Sequence, residues 1–207
     1  VDLNRGLEDG KPASPNMPVA DLAASLTALS AILMALLRRA ATGEGDFIDM
    51  AMYDACLAWT PNVTGPVFAE DDHPPVKDMR SFGGAAMYHV YETRDARHLV
   101  LGGSEVKFAK NLLEHLGRPD LIEDAKREPG PGQDRLRAFF RETFAAKTLD
   151  EWEAELAEID VCWAPVRSLK DAFDDPHTAE RGLVFTDESG RRHIGPAIRF
   201  KRDRKSV

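Results

Sequence analysis

Asp21 is the first residue whose type and setting could do chemistry. It stands at the mouth of a run of small and apolar residues, PVADLAASLTALSAILMALL (18–37), that reads as a helix. An aspartate at a helix N-terminus accepts hydrogen bonds from unpaired backbone N–H groups. The same donors and the helix dipole favour the charged form, and a charged carboxylate can attack an acyl group and carry it covalently. Spacing alone leaves cap and nucleophile both open, and one side chain can be both.

A second candidate lies at Gly102-Gly103-Ser104-Glu105. Backbone N–H groups there could hold an anion. They could equally form a tight strand-to-helix turn with Ser104 as N-cap and Glu105 in the first helical turn, where a carboxylate suits the dipole. The six histidines (His73, His89, His98, His115, His177, His193) have neither paired spacing nor cysteine neighbours, which argues against a metal site. No P-loop or dinucleotide fingerprint is present.

The elements that must position these residues follow from periodicity. Leu22, Leu26, Leu29, Ile32, Leu33, Leu36 and Leu37 recur at helical spacing, with alanine and serine between them. Small side chains admit a close neighbour, so this helix is expected deep in a layered core. Arg38 and Arg39 suit its negative end, and Gly43 a left-handed cap. Phe47, Ile48 and Met50 suggest a short buried strand. The span from Pro61 to Ser81 is proline-bearing, acidic and aperiodic, and reads as a linker. Met87–Tyr91 and His98–Leu101 alternate as two strands about a turn at Arg94-Asp95-Ala96. After the loop EPGPGQ (128–133), Leu136, Phe139, Phe140, Thr143 and Phe144 share a helical face. Thr148 and Glu151 fit a capping box ahead of Leu149, Trp152, Leu156 and Ile159. That aromatic stripe reads as core.

Three blocks carry a resemblance. They are residues 18–55 (PVADLAASLTALSAILMALLRRAATGEGDFIDMAMYDA), Gly83–Gly117 (GGAAMYHVYETRDARHLVLGGSEVKFAKNLLEHLG) and Ile159–Val184 (IDVCWAPVRSLKDAFDDPHTAERGLV). In this order they resemble the CaiB/BaiF-like family III CoA-transferases, the group that includes the α-methylacyl-CoA racemases. The resemblance implies an α/β fold, part of a Rossmann-like large domain plus a smaller α/β domain. Residues 1–61 would belong to the large domain, 62–84 to a linker, 85–185 to the small domain and 186–207 to a linker returning to the large one. It sets the family's reactive aspartate at Asp21 and a supporting glutamate at Glu105. It further implies coenzyme A, entering as an acyl-CoA substrate, with a carboxylic acid as co-substrate and no metal, and two chains interlocked as linked rings. The family's N-terminal half, which carries most CoA contacts, has no counterpart here. The chain therefore reads as a C-terminal part, with the other half on a separate segment or absent.

Three functions stay open at this point. One is CoA transfer between carboxylic acids through an aspartyl-CoA thioester on Asp21. Another is 2-methylacyl-CoA racemisation by C2 proton transfer, with Asp21 on one face and a histidine of the upstream half on the other. The third is a non-catalytic acyl-CoA-binding or structural partner. Only Gly83-Gly84 stands where the formyl-CoA-transferase branch has an extended glycine-rich loop, which is closer to the racemase branch. Glutamate at the Glu105 position occurs in both.

Composition narrows the partners. The net charge of −8 argues against a nucleic-acid surface, and the basic run Phe200–Ser206 reads as a solvated end. The apolar run Ala31–Leu37 is too short to span a bilayer, so no membrane partner is expected. Two lone cysteines, Cys56 and Cys162, fit a reducing cytoplasm.

Overall fold

The structure, a computed structural model, describes residue 14 and residues 17–73 and 76–199. The basic run Phe200–Ser206 and most of the loop expected over Val1–Met17 lie outside the described residues.

Leucine and alanine are strong helix formers, and they build α1 (Val19–Thr42) as predicted. Gly43 ends it at φ 79°, donating its N–H to the Arg39 carbonyl at 2.8 Å. Arg38 then ties down the departing chain through Asp46 and, at 3.6 Å, Glu44. α2 (Met52–Ala58) folds back onto α1. Seven residues reach only about 10 Å, against about 36 Å for the twenty-four of α1. Most of α1 is consequently uncovered: Ala23 and Ala24 are buried, whereas Leu37 is 72% exposed. The expected deep burial is not met by the described residues of this chain.

Two further expectations are corrected here. No strand forms at Phe47–Met50, and Phe47 is 90% exposed. A strand needs a neighbour for its backbone N–H and C=O groups, and no other described segment offers one there. By length and composition α1 is also apolar enough to cross a membrane. Counting only Ala31–Leu37 overlooked the alanines and serines that extend the apolar stretch.

The first half of the expected linker is helical. α3 (Pro61–Glu70) starts on Pro61, whose missing N–H costs nothing at that position, and Asp71 closes it at φ 51°. Single 3₁₀ turns follow at Val76–Asp78 and Arg80–Phe82.

From there the chain builds its core. β1 (Tyr88–Glu92) and β2 (His98–Gly102) pair antiparallel, Tyr91 opposite Leu99, within a residue of the predicted limits. β3 (Trp163–Pro165) adds to β2, giving the order β1-β2-β3. Tyr91, Leu99 and Leu101 face inward onto α4 (Val106–His115), α5 (Ile122–Ala125), α6 (Asp134–Phe144) and α7 (Leu149–Leu156). Leu136, Phe140, Phe144, Leu149, Trp152 and Leu156 are buried there, the face read from the sequence. The Phe144 and Trp152 rings meet edge-on at 5.1 Å, and Trp152 Nε1 donates to the Phe144 carbonyl at 2.9 Å. Thr148 and Glu151 form the predicted capping box. The outward face of the sheet, with Tyr88 and Val90, is open.

The third block follows. Ser168 caps α8 (Leu169–Asp174), and Asp175 with Pro176 begins α9 (Pro176–Glu180). A hairpin of β4 (Val184–Thr186) and β5 (Arg192–Ile194) closes the described chain.

Candidate active site

Asp21 is the third residue of α1, exposed in its first turn. Pro18 occupies the cap position and no side chain caps the helix, so the N-cap reading of Asp21 is corrected. Among the described residues nothing hydrogen-bonds or ion-pairs with the Asp21 carboxylate. It lies in the first turn of a long helix, where an acidic side chain suits the dipole.

Glu105 is itself the cap position of α4, extended at φ −68° and ψ 134°, and its side chain is exposed. Ser104 is therefore not the N-cap that the sequence suggested. The turn is tight because Gly103 permits it: a Cβ there would meet Phe108 Cδ2 at 2.5 Å and Cys162 Cβ at 2.7 Å. Gly102 N–H donates to the Cys162 carbonyl at 2.8 Å, fixing β2 beside the segment that leads into β3.

Ser104 has a different role. Its hydroxyl accepts from Arg80 Nη1 at 3.3 Å, and the Arg80 guanidinium lies over the Tyr88 ring, 5.6 Å from its centre. The loop between them is held from below. Buried Arg137 donates to the Gly84 and Gly130 carbonyls, the latter at 2.8 Å, and Tyr91 Oη donates to Ala86 O at 2.8 Å. Burial pushes the Tyr91 phenol far above its ordinary range. Gly83 takes φ 99°. Sequence reasoning missed Arg80, since nothing local marks a contact that spans 24 residues.

A cleft of about 900 Å³ runs between β1 and α6, lined by His89, Arg94, Arg137 and Arg141 among others. Burial, then Arg141 and Arg137, hold the His89 imidazole below its ordinary pKa. No hydrogen bond or ion pair among the described residues joins Asp21 to Glu105, and no three His, Cys, Asp or Glu side chains form a metal-holding group. Both cysteines are free.

The chain belongs to the CoA-transferase family III, whose family model matches residues 1–205. It is 27% identical to a succinyl-CoA:glutarate CoA-transferase of Mus musculus, over 97% of this chain and 48% of that protein. A succinyl-CoA:mesaconate CoA-transferase of Haloarcula hispanica is 30% identical over 86% of this chain and 45% of its own length. The human alpha-methylacyl-CoA racemase is 29% identical over 88% of this chain and 48% of that protein. The chain thus spans about half the length of the curated relatives it matches. Among solved structures, a CAIB/BAIF family protein from Brucella suis superposes with a TM-score of 0.70 at 26% identity, covering 92% of this chain and 51% of that one. The expected mixed α/β fold is that of this family.

Proposed function

We propose that this chain supplies the nucleophile of a CoA-transferase working on dicarboxylic acids. The observation that carries this is Asp21: an exposed carboxylate in the first turn of α1, without a partner among the described residues, in a chain matched by the family along nearly its whole length. The Asp21 carboxylate attacks the thioester carbonyl of an acyl-CoA, forming a mixed anhydride and releasing CoA thiolate. The thiolate attacks the Asp21 carbonyl, releasing the first acid and leaving an aspartyl-CoA thioester. The incoming carboxylate and then the returning thiolate repeat the two steps in reverse, regenerating Asp21. Splitting one exchange into steps through a covalent intermediate lowers each barrier. Glu105, exposed at the head of α4, supports the site. Succinyl-CoA, glutarate and mesaconate in the relatives' names point to dicarboxylic acids.

In this reading residues 1–61 belong to a Rossmann-like large domain, 62–84 link it to the small domain at 85–185, and 186–207 lead back. The bare leucines of α1 suit burial against the half that the relatives possess and against a second, interlocked chain, rather than a bilayer. Two free thiols suit a reducing cytoplasm.

The test is to incubate the chain with succinyl-CoA, glutarate and hydroxylamine and map the modified peptide. Asp21 is expected to become a hydroxamate, and Asp21→Asn to lose both the adduct and turnover. Turnover without an adduct, or undiminished turnover in Asp21→Asn, removes the proposal. The racemase reading draws on the human relative and on the short Gly83-Gly84 turn. It requires exchange of the C2 hydrogen of a 2-methylacyl-CoA in deuterated water, and an unchanged substrate mass excludes it.

A further inference from the structure

We propose that Arg80 is the residue that reads the carboxylate at the far end of the acyl group, and so sets the preference for dicarboxylic over monocarboxylic substrates. The inference deepens the transfer reading and rests on it for the position of the reacting carbonyl.

Arg80 is placed by neutral partners. Its Nη1 donates to Ser104 Oγ at 3.3 Å, and its guanidinium lies 5.6 Å from the centre of the Tyr88 ring. Neither contact cancels its charge. Ser104 immediately precedes Glu105, so Arg80 stands over the turn that presents the candidate site residue. The loop carrying it is pinned by Arg137 beneath Gly84 and by Gln133 at Ala86.

Several other arginines are already engaged by carboxylates, although Arg39, Arg141, Arg181 and Arg199, like Arg80, have no ion pair among the described residues. With 35 acidic residues and a net charge of −8, the chain offers carboxylates widely. Arg94 takes Glu151, Arg97 takes Asp150, and Arg118 and Arg135 share Asp120. Arg80 has no carboxylate partner among the described residues, although it is exposed and anchored. A guanidinium has five N–H donors, and the bond to Ser104 uses one of them. The remainder form a planar fork that matches a carboxylate with two parallel hydrogen bonds. Lysine would supply charge but not the fork or the stacking over Tyr88.

The chemistry that fits is a second carboxylate separated from the thioester by a short methylene chain. A site built to hydrogen-bond a group discriminates strongly against an analogue lacking it. One charged hydrogen-bond pair is worth about 10- to 100-fold in affinity.

The test uses the full chain and compares succinate with butyrate by titration calorimetry, in wild type, Arg80→Met and Arg80→Lys. Succinate is expected to bind at least about tenfold more tightly than butyrate in wild type. Arg80→Met is expected to lose that preference with butyrate affinity unchanged, and Arg80→Lys to regain part of it. A merely structural Arg80 would weaken both acids alike. Absence of the preference in wild type, its survival in Arg80→Met, or equal loss for both acids overturns the assignment. Because no turnover is involved, a failure of Asp21 to form an adduct sinks the transfer reading separately and leaves the binding result standing.

Discussion

Gln133 Oε1 accepts the backbone N–H of Ala86 at 2.9 Å, while its amide nitrogen donates to the Arg127 carbonyl at 2.6 Å. Gln133 is buried, and its bond to Ala86 is shielded from water. Through them the head of α6 fixes the glycine loop that carries Arg80. Replacing Gln133 with Leu strands the Ala86 N–H in the interior and removes the bond to the Arg127 carbonyl. The expected cost is about 1–3 kcal/mol of stability. A lower urea midpoint at unchanged slope would show it, and an unshifted midpoint would contradict it.

Gly84 meets a different constraint. A Cβ at this position would lie 2.1 Å from the Asp78 carbonyl oxygen, a backbone atom that cannot swing aside. Gly84→Ala is therefore expected to destabilise by about 1–3 kcal/mol, in the range of other overpacking substitutions. Gly45 is the control, since nothing lies within 4 Å of a Cβ there and its φ is not positive. Gly45→Ala should be neutral or slightly stabilising by restricting the unfolded chain. Equal thermal midpoints for the two variants would refute the contrast.

His89 gives a pH dependence with a definite sign. Burial first, and Arg141 and Arg137 next, lower its pKa in the folded chain below the ordinary value of 6.5. Between the two values the unfolded chain binds the extra proton, so stability is full above 6.5 and falls as pH drops through that window. The shifted carboxylates, Glu155 and Asp120 among them, are lowered from ordinary values of 4.5 and 3.8 and titrate at more acid pH. Urea midpoints at about pH 7.5 and about pH 5 should differ less in His89→Gln than in wild type. An identical drop in both would remove His89 as its source.

What the sequence disclosed was local. The Thr148–Glu151 capping box and the hairpin about Arg94-Asp95-Ala96 are written within a few residues, and both were legible. The helical face from Leu136 to Phe144 was legible because amphipathic spacing has one meaning beside a sheet. α3 was hidden by Pro61 and Pro66, which look like breakers although the first sits where a helix tolerates it. Phe47–Met50 failed as a strand because pairing depends on a partner that the segment does not encode. The leucines of α1 announced a helix correctly but could not say what covers it. At the candidate site, the types and places of Asp21 and Glu105 were visible. The Arg80–Ser104 contact was not, because it forms only once β2 and the loop before β1 are folded.

The central claim is that Asp21 forms covalent bonds to both acyl partners in turn, and oxygen isotopes test it most directly. With succinyl-CoA as donor and glutarate carrying ¹⁸O in both carboxylates, one glutarate oxygen bridges the second anhydride and remains on the aspartate when the thiolate attacks the glutaryl carbonyl. The account predicts ¹⁸O in the Asp21 carboxylate of the digested chain after turnover, and in no other acidic side chain. Glutaryl-CoA accumulating while Asp21 retains only ¹⁶O would contradict it.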